Sequence, residues 1–252
     1  MKKESTGVNH ETGLINQQEI EQYQKMSGEM GMTGTRINLP IIKIGYDTAV
    51  PDSYGKFIKG VKGETGTDWQ VIGDTFEAVR LVTRKTLRAY IGEGETMYTA
   101  EFDNPKEVLA LFLNGDVVGE GTIKELKANN DKLKMNMVLY LLMGEELVRV
   151  YVKGASLAAL FRFFQDVKFP KDAIYNTSFS LHPEKKGNIN YFVIDYVIGT
   201  KYENVKKVLQ LQQELRHGFQ VIKEIRDNKY TQTVMSQNDE DQNAIDVSKI
   251  PF

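Results

Sequence analysis

The chain has no cysteine, which excludes disulfides, thiol nucleophiles and zinc sites of the cysteine type. Its three histidines, His10, His182 and His217, are scattered, and no structural metal or cofactor is expected. Long apolar runs are also missing. No stretch approaches the eighteen or so apolar residues that cross a bilayer, and the N-terminal MKKESTGVNHETG lacks the apolar segment of a secretory signal. The expectation is a cytoplasmic chain with no membrane partner. Tryptophan is nearly absent, with Trp69 alone. What is plentiful is ordinary for a globular protein: 41% apolar and 26% charged residues.

The net charge of −2 conceals a partition. Residues 1–32 carry three Lys against five Glu, and residues 236–252 carry Asp239, Glu240, Asp241 and Asp246 against Lys249. Residues 33–235 therefore hold a surplus of three positive charges. A mildly basic body between acidic arms suits a polyanion ligand.

Residues 1–35, rich in Gln, Glu, Gly and Ser, read as a mobile arm. A body over 36–200 follows, then a C-terminal amphipathic helix within 201–230 and a disordered acidic tail over 231–252. Within the body, Ile37–Tyr46 is a β-favouring run, and Pro51–Asp68 reads as a Gly- and Lys-rich loop without phosphate-loop spacing. Two alternating segments predict strands joined by the turn Met143-Gly144-Glu145-Glu146. In the first, Leu133, Met135, Met137, Leu139 and Leu141 face a core, while Lys132, Lys134, Asn136 and Tyr140 face away. In the second, Val148, Val150 and Val152 face inward, leaving Leu147, Arg149, Tyr151 and Lys153 on the wet side.

A second hairpin joins Ile174–Leu181 to Ile189–Ile198 through a basic loop bearing Lys185 and Lys186. Helical spacing of Leu157, Leu160, Phe161 and Phe164 marks a helix over Ala155–Gln165, and Val205–Ile225 marks another. Asp74–Ile91 fits either a strand or a helix, and its β-branched content favours strand. Both readings align Arg80, Arg84 and Arg88 on one side.

Unpaired nucleic acid needs cations for phosphates and rings for bases. Arg80, Arg84, Arg88, Lys132, Lys134, Arg149, Tyr151, Lys153, Lys185 and Lys186 supply that chemistry, with Trp69 as a platform. A competing reading takes Glu184-x-Lys186 as half of a metal-dependent nuclease motif with Asp52, but a basic hairpin tip explains the same letters. Asp195, inside an apolar strand, reads as a functional carboxylate or, as is commoner, as a partner for Arg or Lys in a barrel wall.

The chain closes on Ile250-Pro251-Phe252, after Asp239-Glu240-Asp241 and Asp246. This end resembles that of bacterial and phage single-stranded DNA-binding proteins, with Val247-Ser248-Lys249 interposed between the acidic stretch and the tip. The resemblance covers about seventeen residues. It implies a mainly β (α+β) fold, an OB-like antiparallel barrel with accessory helices and disordered acidic tails. It also implies a non-enzymatic function in coating single-stranded DNA, with the tip recruiting replication, recombination or repair proteins. A terminal Phe suits an apolar pocket, its carboxylate suits a basic residue, and Pro251 limits the entropy lost on docking. An RNA-binding or strand-annealing module, or a structural protein carrying a mimic of the tip, shares parts of this pattern.

Overall fold

The structure, a computed structural model, describes residues 39–46, 50–62, 67–92, 95–114, 116–166, 174–220 and 223–224. The expected N-terminal arm and acidic tail lie outside the described residues. The chain divides into two units, residues 38–213 and residues 1–37 with 214–252. In the second unit the described residues, 214–220 and 223–224, are helical.

Among its described residues the first unit is mainly β, with eleven strands in one open sheet. These are β1 (Ile41–Ile44), β2 (Phe57–Lys62), β3 (Thr67–Gly73), β4 (Thr75–Gly92), β5 (Glu95–Thr99), β6 (Leu109–Leu113), β7 (Asp116–Gly121), β8 (Lys134–Met143), β9 (Glu146–Val152), β10 (Tyr175–Lys186) and β11 (Ile189–Lys201). Along the sheet the order is β3-β2-β1-β9-β8-β4-β5-β6-β7, and β10 joins β4 and carries β11. The loop expected over 51–68 thus holds β2 and the start of β3. Among the described strands, the pairings are antiparallel except that β1 runs parallel to β9, with Ile41 beside Arg149 and Ile42 beside Val150.

β4 organises the sheet. The stretch open to either reading is a strand, and its eighteen residues serve two neighbourhoods. One edge pairs with β8, while the other takes β10 at Thr75–Val79 and β5 beyond Arg88. Two apolar clusters follow from this division. One gathers Phe57, Phe76, Leu139, Leu141, Val148, Val150, Leu160 and Phe179, and Phe76 and Phe179 stack at 4.5 Å. The other holds Leu87, Phe102, Leu109, Leu111, Leu126 and Leu133.

Helix α1 (Ile123–Asn129) seats Leu126 in the second cluster. It starts at a capping box in which the Glu125 amide donates to Thr122 Oγ1 and the Thr122 amide donates to the Glu125 carboxylate. Helix α2 (Gly154–Asp166) lies where the sequence places it, but buries Ala159, Leu160 and Phe163 and leaves Phe161 exposed. Residues 205–213 are helical too, entered through Asn204, whose Oδ1 accepts from the Lys207 amide at 3.1 Å. No helix among the described residues is long and apolar enough to cross a membrane.

The β8–β9 hairpin turns at Gly144, whose φ of 61° suits a residue without a Cβ. The β10–β11 hairpin is longer than its sequence suggests, because the ladder runs to Lys186 and Ile189 and leaves only Gly187-Asn188 as the turn. Asp195 is paired with His182 Nδ1 rather than with an Arg or Lys. His182 Nε2 meets Glu184 Oε1 at 3.1 Å, and Tyr191 Oη donates to Glu184 Oε2 at 2.5 Å.

Hydrogen bonding to Glu184, and then to Asp195, raises the His182 pKa above the ordinary imidazole value. Bonds from Tyr191 and His182 lower that of Glu184. The His182 contribution is thus complete below the unfolded value near pH 6.5 and fades as pH rises through the raised folded value. That of Glu184 is present above its ordinary 4.5 and fades as pH falls through the lowered one. Amide exchange of this hairpin, corrected for intrinsic rate, should therefore lose protection as the pH rises above about 6.5. In His182→Gln that dependence should flatten; an unchanged profile would remove the cluster as its cause.

Candidate nucleic-acid interface

Cross-strand register decides which candidates share a face, since directly opposed residues project to the same side. One row runs Trp69, Gly60, Ile41, Arg149, Tyr140 and Val82, across β3, β2, β1, β9, β8 and β4. A second row runs Lys134, Arg88, Tyr98, Phe112 and Val117, across β8, β4, β5, β6 and β7. Tyr151 and Arg84, both opposite Val138, lie between the rows on the same side.

Arg80 does not join them. The β4–β8 register shifts between Arg80 and Val82, so Arg80 opposes Leu141 while Arg84 opposes Val138. A bulge of one residue reverses the alternation beyond it. The Arg80 guanidinium lies 4.4 Å from the Phe164 ring centre, against α2, and burial lowers its pKa. The expectation that three arginines share one side is corrected by that single inserted residue.

The centre of the shared face is sealed, contrary to the expectation of a wet surface. Tyr140 is 0% exposed, and Arg84 and Arg149 are 7% exposed. Arg84 Nη1 donates to Asp103 Oδ2 at 2.9 Å, and Nη2 donates to the Glu101 carbonyl at 2.7 Å. Its Nε stands 3.6 Å from Glu101 Oε2, which accepts the Tyr140 hydroxyl proton at 2.8 Å. Burial acts against the charge of Arg149, but Tyr151, Tyr140 and Glu101 outweigh it and leave the pKa raised. These arginines therefore serve a buried network with Glu101 and Tyr140. Their charge is answered within the fold.

Two open shoulders flank that centre. At one, the Trp69 ring lies against Gly60, where a Cβ would come within 2.4 Å of a ring carbon. Lys43 Nζ stands 3.8 Å from the ring centre. At the other, Arg88 is half-buried, with its guanidinium 4.5 Å from the Tyr151 ring centre and 6.0 Å from that of Tyr98. Tyr98 stacks on Phe112 at 5.6 Å and 25°, and Lys134 and Val117 are exposed at the ends of the row. Among the described residues Arg88 makes no ion pair, and its buried Nε finds no hydrogen-bond partner. It is a cation with rings beside it and, among the described residues, no acid to answer it.

The remaining candidates are dispersed. Lys132 precedes β8 in a turn, and Lys153 follows the end of β9. Lys185 and Lys186 occupy the far end of the β10–β11 hairpin. Asp239, Glu240, Asp241, Asp246, Ile250, Pro251 and Phe252 lie outside the described residues. The structure adds Lys43, Tyr98 and Phe112. Alternation in Glu95–Thr99 and Leu109–Leu113 is the signal for the last two, but strands of five residues give it little length in which to show.

Among the described residues no group of His, Asp and Glu is arranged to hold a metal ion. No family model, no curated protein and no solved structure matches the chain.

Proposed function

We propose that this chain is a non-enzymatic single-stranded DNA-binding protein that holds the strand along the Lys134–Arg88–Tyr98–Phe112 row and Tyr151. One observation carries the reading: a half-buried arginine, flanked by two tyrosine rings, has no acidic partner among the described residues. Desolvating a guanidinium without a counter-charge costs free energy, and a phosphate supplies that charge. The adjoining rings offer faces to unstacked bases, which duplex DNA keeps inside.

The finer architecture belongs to the same proposal. An OB-like, partly open barrel would form as the sheet curls round its first cluster. Support comes from Phe192 of β11, whose ring lies 6.0 Å from Tyr46 beyond β1 and 5.5 Å from Tyr54 before β2. The acidic tail is proposed to compete with DNA for the cationic row, since tethering raises its local concentration, and to offer Ile250-Pro251-Phe252 to a replication, recombination or repair protein.

Fluorescence titration of Trp69 with a thymidine oligomer at two salt concentrations tests the reading. Binding should weaken with salt, by about 0.7 in log–log slope for each phosphate neutralised. No saturable binding would remove the proposal, and tighter binding to a uridine oligomer would move it to RNA. Deleting residues 236–252 should preserve or tighten DNA binding while abolishing capture of the tail's partner. Weaker DNA binding in the truncated chain would count against a competing tail.

A further inference from the structure

We infer a second base-stacking subsite, apart from the cationic row, formed by Tyr54, Tyr46 and Phe192 with Lys185, which takes a further stretch of the same unpaired DNA strand. The inference rests on the proposed function. Its residues are separate from those of the Lys134–Arg88–Tyr98–Phe112 row.

Tyr54 and Tyr46 are 59% and 49% exposed, although both belong to an ordered aromatic cluster. Phe192 lies 5.5 Å from Tyr54, edge to face at 78°, and 6.0 Å from Tyr46. Local backbone geometry fixes the group. Gly55 has φ of 71°, and a Cβ there would come within 2.5 Å of the Phe192 ring, so the chain lies directly on that ring. The Gly55 amide donates to the Gly45 carbonyl at 2.9 Å, which holds the Tyr54 segment beside Tyr46. Tyr46 Oη accepts from the Phe192 amide at 3.2 Å and so ties the hairpin to the end of β1.

No bond from the Tyr54 hydroxyl and no parallel-stacked ring covers Tyr54 among the described residues; its one ring neighbour, Phe192, meets it edge to face. An aromatic ring more than half exposed and anchored by its neighbours is the form of a stacking platform.

The hairpin supplies the charge. Phe192 opposes Pro183 and Lys185 opposes Asn190, so Phe192 and Lys185 project to one side of the two-stranded ribbon. Lys185 is two residues further along, roughly 7 Å at the usual strand rise. The acidic neighbour, Glu184, points to the other side, where His182 and Tyr191 occupy its oxygens. One side of the ribbon thus carries a ring and a cation, and the other carries the carboxylates. Unpaired DNA, with bases and phosphates in alternation, fits the first.

The test compares short and long thymidine oligomers, of 6 and 30 nucleotides, by anisotropy of a label on the DNA, with Trp69 emission followed in parallel. In the full chain, Tyr54→Ala should weaken binding of the long oligomer by about 5- to 150-fold and leave the short one unchanged. Tyr54→Phe, which keeps the ring, should bind as the parent does. Lys185→Glu should weaken the long oligomer and lower its salt slope. Circular dichroism of each variant reports folding. If the parent binds the long oligomer and Tyr54→Ala binds it equally, the subsite is overturned while the proposed function stands. If the parent binds neither oligomer, the function itself fails.

Discussion

Arg84→Ala is expected to lower the thermal midpoint of the protein by roughly 6–20 °C, about 3–5 kcal/mol, the largest stability effect of any single change considered. Arg84 meets Asp103 at 2.9 Å and the Glu101 carbonyl at 2.7 Å, and its removal takes from the Glu101 side chain, itself only 8% exposed, a guanidinium nitrogen 3.6 Å away. Truncating one partner of a buried pair is costly because the other charge cannot regain water. Tyr140, fully buried and bonded to Glu101, transmits the loss to the centre of β8. Thermal unfolding followed by circular dichroism checks this. A shift of less than 2 °C would mean that Arg149 and water replace Arg84 at Glu101. Arg84→Lys should fall between, since an ammonium cannot span Asp103 and the carbonyl as a planar fork does.

The second large effect is on binding. Tyr98→Ala should weaken single-stranded DNA by about 5- to 150-fold, the amount associated with a lost stacking ring. Arg88→Ala should reduce the salt slope by about 0.7, as one phosphate contact is lost. Because Arg88 makes no ion pair among the described residues, its removal should leave the thermal midpoint within a few degrees of the parent. The contrast with Arg84, four residues away on the same strand and face, is the discriminating feature. If Arg88→Ala destabilises the fold as Arg84→Ala does, both arginines are structural and the binding row loses its centre. Anisotropy at two salt concentrations, with melting curves on the same samples, separates these outcomes.

The sequence by itself determined the elements whose periodicity is long and uninterrupted. Val148, Val150 and Val152 point to the core as their alternation requires, and the Gly144 turn and helix α2 lie where the spacing places them. Helix α1, with seven residues, is too short for periodicity to announce it. What only the tertiary structure decided was which polar residues meet water. Alternation assigns a residue to one of two sides but says nothing of what covers each side, so Tyr140 and Arg149 read as wet and are buried. Nor does alternation anticipate a bulge: one extra residue between Arg80 and Val82 sends Arg80 to α2 and leaves Arg88 among its rings. Cross-strand register brings Tyr98 and Phe112 into one row with that arginine from the next two strands, through backbone pairings that alternation by itself does not specify.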